Sequence, residues 1–303
     1  MPPTLVNVRF AWWFCAILCA AAPARAQIEM GGGRIDVVFE AKETGVPQDM
    51  LLAWIKTAAR AVTDYYGRYP VRRLVVRIES IDGDAIESGK TFGTREGGLI
   101  KVAVGRSTTA AHFARDWLMT HEMVHLAFPD MPERHHWIEE GIATYVEPIA
   151  RARRGGLSAE QLWAEMVRDL PQGLPEAGDR GLDFTPTWGR IYWGGALFCL
   201  LADVEIHRRT ANAKGLKDAL RGILAAGGSI NADWDLERTL AASDEATGVP
   251  VLQELYARMR AAPHPVDLEE MWRKLGIERR GRSVALKDDA PWAAVRRTIV
   301  PLP

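Results

Sequence analysis

The chain has 303 residues, 48% of them hydrophobic and 25% charged, with a formal net charge of −1. That length allows one large domain or two small ones. Without a basic excess, neither nucleic acid nor an anionic membrane surface is an expected partner.

The N-terminus reads as an export signal. Arg9 precedes the apolar stretch Phe10 to Ala22, and Pro23-Ala24-Arg25-Ala26 ends in an Ala-x-Ala pattern. Residues 1–26 are therefore expected to form a signal peptide cleaved before Gln27, with bacterial export most simply to the periplasm. The apolar run falls short of the ~20 residues of a spanning helix, so no transmembrane anchor is expected after cleavage. Leu18 before Cys19 argues against lipoprotein processing there. Cys15 and Cys19 leave with the signal. Cys199 then stands alone, without a disulfide partner, and reads as a small buried apolar residue.

From Arg34 to Glu40 the sequence alternates and is β-branched, which predicts a strand. Pro47 to Tyr66 predicts a helix with proline in its first turn. Val71–Ile78 and Leu99–Val104 predict strands, separated by a Gly-rich, acidic loop from Asp82 to Gly98. Residues 27–106 thus form a β-rich region. Helices are expected over 108–127, 137–152, 158–169, 189–208, 212–226, 249–260 and 266–275, with a late strand at Ser283–Leu286, so residues 107–303 form a helical region. Pro171–Pro186 reads as a surface loop near the cleft. The expected fold class is α+β, a small N-terminal β-rich region packed on a mostly helical region.

Inside the first of these helices lies Thr120-His121-Glu122-Met123-Val124-His125, and after fourteen intervening residues stands Glu140. A period of 3.6 residues places His121 and His125 one turn apart on one face, where two imidazoles can grip one metal ion. Glu122, turned about 100° around the helix, can reach a metal-activated water as general base. Shuffling a chain with seven histidines gives this pattern only about 0.01 times. Three protein ligands would leave one position open, as in catalytic rather than structural zinc sites. Pro129 and Pro132 break the chain between the helices and permit the reversal that returns Glu140 to the metal.

The second segment is Trp137-Ile138-Glu139-Glu140-Gly141-Ile142-Ala143-Thr144-Tyr145. Together with the first it resembles the gluzincin metallopeptidases (peptidase MA-like), above all the aminopeptidase N-like and glycyl aminopeptidase-like families. The spacer here is shorter than in aminopeptidase N relatives. The resemblance implies zinc as cofactor, held by His121, His125 and Glu140 rather than Glu139. A third stretch, Tyr192-Trp193-Gly194-Gly195-Ala196, is similar to the family's Tyr-x-Lys-Gly-Ala, with Gly194 in place of Lys. By that likeness Tyr192 is the oxyanion donor. The resemblance also implies that Leu99–Gly105 is an edge strand receiving substrate backbone. The amine-binding Gly-x-Met-Glu-Asn loop of aminopeptidase N relatives is absent, and no motif supports Glu87 or Glu96 in its place.

The implied function is a zinc-dependent peptidase of narrow specificity acting on a peptide or protein substrate. A zinc hydrolase of a non-peptide amide or ester is an alternative, as is a non-catalytic gluzincin-like binding protein. Glu147 and Thr144 either orient a ligand histidine or lie at the surface. His112, His135 and His136 fall near the site, with His135 and His136 expected in a solvated loop, and Arg151, Arg153 and Arg154 are expected to act as cations at a helix C-terminus.

Overall fold

The computed structural model describes residues 24–41 and 44–301. The expected signal peptide falls outside them except for Ala24 to Ala26, which open the first strand. Strands β1 (Ala24–Met30) and β2 (Gly33–Phe39) pair antiparallel. Helix α1 (Gln48–Tyr66) crosses over, and β3 (Arg73–Ile81) returns parallel to β2. A parallel return requires such a long crossover. β4 (Ile86–Thr94) and β5 (Gly97–Gly105) pair antiparallel, with β5 parallel to β3. The strand order is β1-β2-β3-β5-β4.

Alternation in β2 and β3 buries Ile35, Val37, Phe39, Leu74, Val76 and Ile78, which join Leu51, Ile55, Ala59 and Val62 of α1 in one apolar cluster. The helix ends at Gly67, whose φ of 82° is left-handed and whose N–H donates to the Thr63 carbonyl at 2.7 Å. Glycine adopts that conformation without a Cβ penalty.

Two expectations fail in this sheet. Asp82–Gly98 is not all loop, since it contains β4. Leu99–Gly105 is not an edge, since β5 is hydrogen-bonded on both sides and the edge beside it is β4. Gly89 and Gly93 weaken the strand signal of β4, and both are required by crowding. A Cβ on Gly93 would lie 2.8 Å from the Ile230 carbonyl oxygen, and one on Gly89 would strike Glu122.

Beyond the sheet come α2 (Ala110–Arg115), α3 (Leu118–His125), α4 (His136–Ala152), α5 (Ala159–Asp169) and α6 (Gly195–Arg209). Next follow α7 (Leu216–Ala225), α8 (Leu236–Thr247), α9 (Val251–Met259) and α10 (Leu268–Leu275). A short hairpin, β6 (Ile277–Arg280) with β7 (Ser283–Leu286), and α11 (Ala293–Ile299) complete the described chain. The sheet and the helices together are the expected α+β arrangement.

The continuous helix expected over 108–127 is broken. Asp116 accepts the backbone N–H groups of Leu118 at 3.1 Å and Met119 at 3.2 Å, so its carboxylate starts a new helix instead of continuing the old one. Helix α8 escapes an apolar-periodicity reading because Thr239, Ser243 and Thr247 fill much of its buried face. No helix among the described residues is long and apolar enough to cross a membrane.

Helices α4 and α6 touch backbone to backbone. A Cβ on Gly141 would lie 2.3 Å from Gly195 Cα, and one on Gly195 would lie 2.0 Å from the Trp137 carbonyl oxygen. Gly141→Ala must therefore push the helices apart, at a cost of about 1–3 kcal/mol for overpacking. Urea unfolding should show a lower midpoint with an unchanged slope; an unaltered midpoint would contradict the close contact.

Candidate active site

The site is built where α3 meets α4. Asp116 fixes the start of α3 and also accepts the indole N–H of Trp54 at 2.7 Å, which ties this helix to α1. One turn on, the His121 and His125 rings stand 5.0 Å apart, close to perpendicular. Trp117 packs edge-on against His121, with ring centroids 5.5 Å apart.

Across from them α4 presents Glu140, whose Oε2 lies 3.1 Å from His121 Nε2 and 3.6 Å from His125 Nε2. One potential ligand atom from each of the three residues lies within 4.8 Å of the other two. Two nitrogen donors and a carboxylate suit a zinc-sized cation, and three protein donors leave room for a fourth ligand. Glu139, the adjacent carboxylate, turns elsewhere. It accepts the Met131 N–H at 3.1 Å and sits 3.3 Å from His136 Nδ1.

Burial sets the electrostatics. It pushes His125 down to about 4, assisted by the neighbouring His121, so the imidazole is neutral at ordinary pH. Burial pushes Glu140 up, but the His121 hydrogen bond and nearby His125 outweigh it and leave the carboxyl below its usual value. Glu122 is raised by burial, against the pull of a hydrogen bond from Thr91. A neutral His125 facing the ionised Glu140 carboxylate contributes to a donor set ready for a cation.

Tyr192 sits on a single π-helical turn, Arg190–Gly194, which leads directly into α6. Such turns recur at functional positions. Its phenol is raised by burial and by Glu140 and Glu122, which places it within the field of the site. His121 and Tyr192 share a cavity of about 670 Å³ with Trp117, Trp188, Glu147 and Arg151. At the position of the family lysine, a Cβ on Gly194 would lie 3.1 Å from Leu182 Cδ2. The chain around Leu182 occupies the space a longer side chain would need.

Several side chains differ from expectation. His135 is buried rather than solvated, with its Nε2 3.3 Å from the Tyr256 hydroxyl. That hydroxyl donates to Asp183 at 2.8 Å, and Trp137 Nε1 donates to the same carboxylate at 2.9 Å. His136 opens α4 and brings its Nε2 to 3.3 Å from Glu140 Oε1, so it braces the carboxylate. Arg151 turns inward and donates to the buried Glu147 at 2.8 Å. Burial still holds Glu147 at about 7 despite that cation. His112 accepts the Thr109 N–H at 3.2 Å and closes the first turn of α2. Arg153 and Arg154 are structural, bonded to the Thr298 carbonyl at 2.8 Å and to Asp64 at 3.0 Å. Cys199 is buried, as expected.

The chain shares its fold with solved structures of zinc metallopeptidases. Among solved structures, the chain is similar to an M1 zinc metallopeptidase from Deinococcus radiodurans, at 17% identity and a TM-score of 0.50, covering 81% of this chain and 54% of that one. It is also similar to an aminopeptidase N family protein from Idiomarina loihiensis, at 12% identity and a TM-score of 0.61, covering 84% of this chain and 49% of that one. The chain thus spans about half the length of these structures. No protein-family model matches it, and no curated protein matches it.

The buried His125 yields a pH prediction for the metal-free protein. Its folded pKa near 4 lies below the unfolded 6.5, so the unfolded chain holds the extra proton between those values. Stability from this residue is complete above 6.5 and is lost as pH falls toward 4. Urea unfolding of metal-free wild type and His125→Gln should show the wild type gaining on the variant as pH rises through that window. A constant difference would contradict the depressed pKa.

Proposed function

We propose that the protein is a zinc-dependent peptidase with His121, His125 and Glu140 as the metal ligands. The observation that carries this reading is the convergence of those three side chains with Glu122 one residue along the same helix. The likeness in fold to zinc metallopeptidases supports peptide-bond hydrolysis over hydrolysis of a non-peptide amide or ester. Glu122 speaks against a purely binding role, which would have no use for a buried base beside the ligands.

His121, His125 and Glu140 would hold a zinc ion, which would supply the Lewis acidity that activates a water and polarises a carbonyl. Glu122 accepts the proton of the attacking water and returns it to the leaving amine. Its raised pKa suits both acceptance and return. Tyr192 donates its hydroxyl to the oxyanion that develops on the scissile carbonyl. The cavity shared by His121, Tyr192 and the tryptophans 117 and 188 receives a substrate side chain, and its defined walls fit a narrow preference. In cellular terms the enzyme acts on a peptide or protein outside the cytoplasm after removal of residues 1–26.

Glu122→Gln should keep its metal and lose turnover, because an amide cannot accept the proton. Tyr192→Phe should slow hydrolysis by about 10²–10³-fold, the loss typical of one oxyanion donor. Both are measured by metal analysis and by cleavage of a peptide library with wild type as reference. Unchanged cleavage by Glu122→Gln would reject the mechanism. Unchanged cleavage by Tyr192→Phe would remove Tyr192 alone from it.

A further inference from the structure

The edge strand β4 lies against the Glu122 side chain, and two of its residues, two apart and on one face, meet that side chain. Thr91 Oγ1 is 2.5 Å from Glu122 Oε2 and 2.9 Å from the Glu122 backbone carbonyl oxygen. Gly89 stands beside the same carboxylate. A Cβ there would lie 2.7 Å from Glu122 Cγ and 2.9 Å from Oε1. One residue thus supplies a hydroxyl and the other an absent side chain.

We propose that Thr91, with Gly89 leaving the space, is the positioning residue for the Glu122 carboxylate. The proposal rests on the reading of Glu122 as general base. A glutamate side chain has three rotatable bonds, and a base must point within hydrogen-bond reach of the proton it abstracts. Among the described residues the Glu122 carboxylate takes a side-chain hydrogen bond from Thr91 and none from α3. The restraint comes from the sheet. Thr91 is itself stiff at χ1 because it is β-branched, and its backbone is locked in register opposite Ile100 of β5.

The two acceptors also explain why a hydroxyl suits the position. A hydroxyl donates one hydrogen bond and accepts others. While the carboxylate is ionised, Thr91 donates to Oε2. While Glu122 carries the proton taken from water on its other oxygen, Oε2 still accepts from the Thr91 hydroxyl, and the proton stays free to pass to the leaving amine. Thr91 gains and loses no proton overall, and the carboxylate stays in place through the cycle.

The test uses Thr91→Val, which keeps the branched shape and strand preference, Thr91→Ser, which keeps the hydroxyl, and Gly89→Ala, which intrudes on the carboxylate. The zinc-loaded full chain is assayed on the peptide that wild type cleaves fastest in a mixed library, and each variant is also crystallised. Misplacing a catalytic group by about 1 Å costs about 10²-fold, so kcat of Thr91→Val should fall by that order with KM unchanged. Thr91→Ser should restore most of the loss, zinc content should be unaltered, and Glu122 should leave its position in the Thr91→Val and Gly89→Ala crystals. An unmoved Glu122 with unchanged kcat would overturn the proposal, as would a loss that serine does not rescue. Failure of wild type to cleave any peptide would reject the peptidase reading, and the Glu122 position in the crystals would still decide this proposal.

Discussion

The contact between Glu140 and the two histidines of α3 is the interaction on which the rest of the structure depends. It holds a carboxylate and two imidazoles, all shielded from water, within a few ångströms. Such groups stay together only when the scaffold leaves them no alternative. The scaffold does so at both ends. Asp116 and Trp54 tie the start of α3 to α1 and the sheet. Gly141 and Gly195 bring α4 and α6 into backbone contact, which sets the depth at which Glu140 enters the site. Removing water from around His125 keeps it neutral, and neutrality is what a metal ligand requires.

The parts of the site legible in the sequence were those governed by local geometry. His121, Glu122 and His125 obey helical spacing, and the break at Pro129 and Pro132 announces the reversal toward Glu140. The α1, β2 and β5 segments were legible from periodicity, since each buries one apolar face. What the sequence hid depends on partners far along the chain. β4 looked like a loop because Gly89 and Gly93 are there to clear Glu122 and Ile230, neither of which is near in sequence. For the same reason the edge strand was assigned to β5. Thr91 carried no signal, as a threonine in a strand is ordinary. His135 follows two prolines and reads as solvated, but Asp183 and Tyr256 arrive from elsewhere to bury it, whereas His136 meets Glu140 one turn along the same helix. The Asp116 break was the one miss with a local cue, an Asp placed to accept amide protons of the following turn.

The correction at β4 changes the picture of substrate approach as well as the topology. An edge strand offers unpaired N–H and C=O groups to an extended chain, and this edge lies beside Glu122 rather than one strand away. Its glycines keep it low and its threonine reaches inward. A peptide docked along it would place its backbone near the proposed base. A chain about half the length of the similar solved structures thus contains the sheet edge, both ligand helices and the Tyr192 turn in one described unit.

The central claim is that His121, His125 and Glu140 jointly hold one zinc ion. Its most direct test is a crystal structure of the zinc-supplemented protein with anomalous data collected on both sides of the zinc absorption edge. The account expects one anomalous peak per chain, about 2.0–2.2 Å from a nitrogen of each histidine and an oxygen of Glu140. A fully supplemented crystal without a peak at that point, or with the zinc held by other side chains, would contradict it.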